Sequence, residues 1–173
     1  MKYLIVVDMQ VDFITGSLGS KLAEAIVPNA VEKVKNYDGK VIFTRDTHFA
    51  DYMQTQEGKK LPVEHCIELT DGWMIDNRLM EVLDGKCTFV NKPTFGSFDL
   101  VEIINEDFET DKLDEIVLCG FCTDICCISC GLLLRAKFPN TKITVMKDLC
   151  AGTTKENHEA ALKVMQSCQI DII

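Results

Sequence analysis

The chain reads as an α/β protein of three layers, with helices on both faces of a six-stranded, mostly parallel sheet. Two observations lead there. Short continuous apolar runs, the pattern of strands covered on both faces, recur along the sequence, and segments with helical apolar spacing lie between most of them. Strands that alternate with helices close into a parallel sheet through right-handed crossovers.

Tyr3-Leu4-Ile5-Val6-Val7 is the first such run, and it ends at Asp8-Met9-Gln10-Val11-Asp12-Phe13. After a glycine-containing loop at Gly16 to Gly19, residues 21–37 have helical character, with a break or restart expected at Pro28, which lacks an N–H. Ala30, Val31 and Val34 fit one face of its later part. Gly39 closes this helix, and residues 40–45 form a second strand ending at Asp46. Residues 47–86 show no long periodic element; they carry Gly58, Pro62, Gly72 and the only tryptophan, Trp73, with a short helix expected within 74–83. Insertions of this length in a compact domain are usually functional.

Residues 87–90 make a third strand, followed by a loop to Phe98 and a helix over 99–106. Glu115 to Cys119 is a fourth strand, stopped by Gly120, and Thr123 or Asp124 can cap the helix that continues through Leu132 to Ala136. A fifth strand spans 142–146. Thr153-x-x-Glu156 has the form of a capping box opening a helix to Ser167, and 169–173 is a sixth strand.

The 173 residues have the usual size of one domain, here taken as 1–173, and 47% hydrophobic with 26% charged residues is ordinary for a globular protein. A net charge of -9 argues against nucleic acid and anionic membranes as partners, since both need clustered Lys and Arg. Nine cysteines, four of them between Cys122 and Cys130, match no small secreted framework and read as reduced thiols in a cytoplasmic protein. Residues 2–7 are too short an apolar run for a signal peptide or a membrane span.

In open α/β sheets, ligands bind beyond the carboxyl ends of the strands. Asp8, Asp46 with His48, Lys92 and Cys126 follow strands one, two, three and four. Cys126 falls in a first helical turn, where free N–H groups and the positive end of the dipole favour thiolate over thiol. With it, a carboxylate can shuttle a proton to a leaving group, and an ammonium can hold that carboxylate. Each residue also has a plainer reading: a core cysteine, a loop-capping carboxylate, a solvated lysine. Asp46-x-His48 places two ligands on one side of an extended segment, and Glu57 and His65 can complete a mixed oxygen and nitrogen set suited to zinc, iron or manganese. His158, inside the last helix, reads as a surface or packing residue.

Together, 8–13, Thr44 to His48, Pro62 to Cys66, Lys92 to Phe95, Gly120 to Cys126 and Asn157 to Leu162 resemble the isochorismatase-like cysteine hydrolases, and within them the nicotinamidase branch. The resemblance covers nearly the whole chain. It implies Cys126 as nucleophile with Asp8 and Lys92 completing a triad. It also implies a cis peptide between Phe121 and Cys122, in a turn whose N–H groups, those of Cys122 and Cys126, meet a developing oxyanion. Asp46, His48 and His65 match that branch's metal ligands. Some members use a histidine six residues after the first; Gln54 stands there, and Glu57 matches a variant pattern with glutamate. Phe13, Leu61 and Phe95 are the implied ring-binding residues, Leu61 standing where an aromatic is common. The implied activity is metal-assisted hydrolysis of nicotinamide in NAD salvage, by a chain whose relatives often form homo-oligomers. Two rivals stay open: a related hydrolase with another small substrate, and a redox or zinc-binding protein built on Cys122, Cys126 and Cys130.

Overall fold

The computed structural model describes residues 1–83, 87–109 and 112–173, so the end of the insertion at 84–86 lies outside the described residues. In chain order the elements are β1 (Lys2–Val7), α1 (Val11–Ile14), α2 (Lys21–Lys35), β2 (Lys40–Asp46), α3 (Gln56–Lys60), α4 (Asn77–Met80), β3 (Cys87–Lys92), α5 (Phe98–Phe108), β4 (Glu115–Phe121), α6 (Ile128–Lys137), β5 (Lys142–Ala151), α7 (Lys155–Ser167) and β6 (Asp171–Ile172). All six strands pair in parallel, in the order β3-β2-β1-β4-β5-β6.

That order follows from the sequence. β1 is buried from Tyr3 to Val7 and so takes a central place. From β1 the chain winds outward through β2 to β3, then returns across β1 to β4 and winds the other way. Right-handed crossovers in opposite directions put helices on opposite faces. Accordingly α2 touches α1 and α4, while α5, α6 and α7 form a second contiguous layer. The winding reverses between β1 and β4, the place where sheets of this kind leave a crevice at their carboxyl ends.

Several local expectations need correction. α2 runs unbroken through Pro28: the Ser20 side chain accepts the Ala23 N–H at its start, and a buried stripe of Ala23, Val27, Ala30 and Val34 outweighs the hydrogen bond that proline removes. The last helix is capped by Thr154, which accepts from Asn157, because Thr153 is engaged elsewhere. Thr123 and Asp124 do not cap the helix after β4. Residues Thr123–Cys127 instead form a wider π turn leading into α6. No helix among the described residues is long and apolar enough to cross a membrane.

Candidate active site

Regular strand ends deliver the first group of side chains. Asp8 leaves β1 with a φ of 47°, a left-handed conformation that aspartate tolerates better than most residues. Its N–H meets the Thr44 carbonyl at 3.2 Å, and the Thr44 hydroxyl donates to Asp8 Oδ1 at 2.6 Å. Lys92 ends β3, is 1% exposed, and places Nζ 2.6 Å from Asp8 Oδ2, 3.3 Å from Cys126 Sγ and 3.6 Å from Asp46 Oδ1. Cys126 lies in the π turn after β4, and β4 comes close to β1 there. A Cβ on Gly120, which has φ 121°, would sit 2.0 Å from the Val7 carbonyl oxygen, so only glycine fits. The acid, amine and thiol expected at the ends of strands one, three and four are therefore together.

Their charge state differs from the sequence reading. Burial pushes the Cys126 thiol well above its ordinary value, the nearby Asp8 carboxylate adds to this, and Lys92 only partly opposes it. The helix-terminus argument for a standing thiolate is thus overridden by desolvation. Burial also raises Asp8, against the pull of Lys92 and the Thr44 hydrogen bond. Lys92 is itself held well above its usual value, because its carboxylate and thiol neighbours outweigh the effect of burial. Burial thus favours the thiol form of Cys126, while Lys92 and the Thr44 hydroxyl favour the ionised form of Asp8, the pairing that a proton transfer between them requires.

The insertion supplies the second group. His48 Nε2 is 3.1 Å from Asp46 Oδ2, His65 Nε2 is 3.4 Å from the same oxygen, and both nitrogens are 3.7 Å from Glu57 Oε1. The four ligand atoms all lie within 4.8 Å of one another. Atoms that bind one zinc tetrahedrally at about 2.0–2.1 Å are roughly 3.4 Å apart, so the donors fit. His65 Nδ1 is 2.8 Å from the Val63 carbonyl, a contact through which Nδ1 can donate while Nε2 faces the cluster. Burial and the neighbouring Asp46 raise Glu57, a repulsion that a bound cation would relieve. Gln54, in the single turn Tyr52–Gln54, is exposed and takes no part in the cluster. Cysteines form no comparable cluster among the described residues.

Cys126 of the first group and Asp46, Glu57 and His65 of the second open on one cavity of about 650 Å³. Phe13, Leu61, Phe95, Phe121 and Cys122 all line it beside Cys126, Asp46, Glu57 and His65. The Phe13 ring stands edge-on to His65 at 5.6 Å. The expected cis peptide is absent: among the described residues every peptide bond is trans, that between Phe121 and Cys122 included. The turn is made instead by the left-handed Gly120 and the π turn, in which Ile125 and Cys127 both donate to the Cys122 carbonyl.

Sequence reasoning missed several supports. Gln10, fully buried, accepts the Asp46 N–H at 2.7 Å and donates to the Asp46 carbonyl at 2.9 Å, clamping the end of β2 from the end of β1. His158, read as a surface or packing residue, is half-buried, and its Nδ1 is 2.8 Å from the Thr123 hydroxyl. Asp124 accepts from both the N–H and the hydroxyl of Thr153, whose loop lines the cavity. These contacts join residues 29 to 36 apart in the chain, and no short-range pattern announces them.

Comparison with known proteins supports the fold and gives the family. A search of curated proteins found no match. Among solved structures, the pyrazinamidase/nicotinamidase of Streptococcus mutans UA159 is 26% identical, with 100% of each chain covered and a TM-score of 0.83. The pyrazinamidase of Pyrococcus horikoshii, in complex with zinc, is 24% identical over 99% of this chain and 98% of that one, with a TM-score of 0.83. The yeast nicotinamidase bound to the inhibitor nicotinaldehyde is 20% identical over 100% and 99%, with a TM-score of 0.83. The Isochorismatase domain profile matches residues 2–173, and the chain belongs to that family.

Proposed function

We propose that this protein is a nicotinamidase, hydrolysing nicotinamide to nicotinate and ammonia through a thioester on Cys126. The observation that carries this reading is the union, around one cavity, of an acid–amine–thiol set and a four-ligand cluster, with Lys92 touching both Asp8 and Asp46. The names of the solved neighbours, one with zinc and one with nicotinaldehyde, support the substrate class and favour zinc over iron or manganese. The whole chain, 1–173, serves as one hydrolase domain.

Asp8 takes the thiol proton as Cys126 Sγ bonds to the carboxamide carbon and the carbonyl electron pair moves onto oxygen. Backbone N–H groups of the π turn that carries Cys126 would receive that oxyanion. The carbonyl then re-forms, the C–N bond breaks, and Asp8 passes its proton to the nitrogen, which leaves as ammonia. Water attacks the thioester while Asp8 accepts a proton from it, and the departing thiolate takes that proton back. Lys92 stays charged throughout, holding Asp8 in place and stabilising the thiolate as it appears. Phe13, Leu61 and Phe95 wall the ring. A divalent metal held by Asp46, His48, Glu57 and His65 would supply a Lewis-acid contact for the pyridine nitrogen.

A second reading, an amidase of the same family with a bulkier carboxamide, is favoured by one feature. Leu61 puts an aliphatic side chain on the cavity wall, and about 650 Å³ falls within the range of roughly 300–1,000 Å³ typical of pockets for drug-sized ligands. Ammonia release from nicotinamide, pyrazinamide, benzamide and ring-substituted nicotinamides, with and without chelator, separates the two. Nicotinamide should give the highest kcat/KM and benzamide, lacking the ring nitrogen, a far lower one. Equal turnover of benzamide, or a preference for the substituted rings, would overturn the nicotinamidase assignment.

A further inference from the structure

We propose that Asp12 is a positioning residue of the four-ligand cluster: its carboxylate fixes the left-handed turn at Cys66 that sets His65 and, through the Cys66 carbonyl, holds His48. The inference rests on the metal reading given above.

Cys66 directly follows His65 and has a φ of 48°, a conformation that side-chain-bearing residues keep only where their surroundings enforce it. Its two peptide groups show the enforcement. The Cys66 N–H donates to Asp12 Oδ2 at 2.7 Å, a short, charge-assisted bond, and its carbonyl accepts the His48 N–H at 3.0 Å. The His48 carbonyl in turn accepts from Glu68 at 2.8 Å. One residue thus joins the backbones of both histidine ligands, and its anchor lies outside the insertion, in α1.

The carboxylate is itself confined. Its Oδ1 accepts the Ser17 N–H at 3.2 Å. A Cβ on Gly16 would come within 2.3 Å of Oδ1 and one on Gly72 within 2.1 Å of Oδ2, so both positions leave room only for hydrogen where the chain passes Asp12. Residues 8 to 13 therefore deliver four functions in sequence: the proton carrier Asp8, the Asp46 clamp Gln10, the histidine anchor Asp12 and the ring wall Phe13.

Zinc affinity, measured on the intact protein by competition with a chromophoric chelator, tests the assignment without reference to turnover. Asp12→Ala should bind zinc about 10- to 100-fold more weakly, the usual consequence of losing an outer partner of a metal ligand. Asp12→Asn, whose amide oxygen can still accept from Cys66, should restore affinity to within a few-fold of wild type. Gly72→Ala keeps the carboxylate but crowds it, should weaken zinc in the same direction, and decides the question if Asp12→Ala does not fold. Leu100→Ala, which removes a buried side chain of α5, a helix that contributes no ligand to the cluster, controls for general destabilisation. Wild-type affinity in both Asp12→Ala and Gly72→Ala, or an equal loss in Leu100→Ala, overturns the role of Asp12. Failure of the wild-type protein to bind zinc overturns the metal reading instead.

Discussion

The two halves of the cavity are built differently. Asp8, Lys92 and Cys126 sit at the ends of β1, β3 and β4 or one turn beyond, where the register of a buried sheet fixes each backbone before any side chain is placed. His48, Glu57 and His65 come from an insertion with little regular structure, and its path is held by individual side-chain contacts from Asp12, Gln10 and Tyr52, together with non-glycine left-handed residues at Cys66 and Leu69. A sheet resists single substitutions because its geometry is shared among many bonds. A loop held by a few anchors does not, so the proposed metal half should lose its function by loosening and the proposed nucleophile half by loss of chemistry or global stability.

The largest effect expected is at the nucleophile. Cys126→Ala should lower ammonia release by about 10⁴-fold or more while leaving zinc content unchanged, and a parallel loss of zinc would show that the halves are not independent. Lys92→Met leaves Asp8 buried without its partner and should cost about 3–5 kcal/mol in denaturant unfolding as well as activity. A loss under about 1 kcal/mol would mean that Asp8 takes a proton and sits neutral. Gly120→Ala forces a Cβ against Val7 at a positive φ, for a destabilisation of at least about 2 kcal/mol. In the metal half, His65→Ala should weaken zinc binding and kcat/KM, yet leave the alkylation rate of Cys126 within about 2-fold and stability nearly unchanged. Smallest of all, Leu61→Phe should lower KM for an aromatic carboxamide by up to about 10-fold with kcat unaltered, as expected for one added ring contact of about 0.5–1.5 kcal/mol.

The same contrast explains what could be read in advance. Asp8, Lys92 and Cys126 were legible because apolar runs mark strands and strand ends mark the crevice. His48 and His65 were legible by rarity, two of only three histidines lying in one insertion. Their supports were not legible. Nothing local in Asp12 points to Cys66, 54 residues on, or in Thr123 to His158, 35 residues on. The cis peptide at Phe121–Cys122 came from family resemblance alone, and the trans bond found there takes its turn from Gly120 instead.

The sequence by itself determined the order of strands and helices, the burial of β1 and the set of chemical groups at the carboxyl edge, since all of these follow from periodicity and local propensity. Only the tertiary structure decided how burial shifts Cys126 toward the thiol form, and what path the insertion takes. Desolvation depends on everything that surrounds a group, and a loop without periodicity takes its shape from partners distant in the chain.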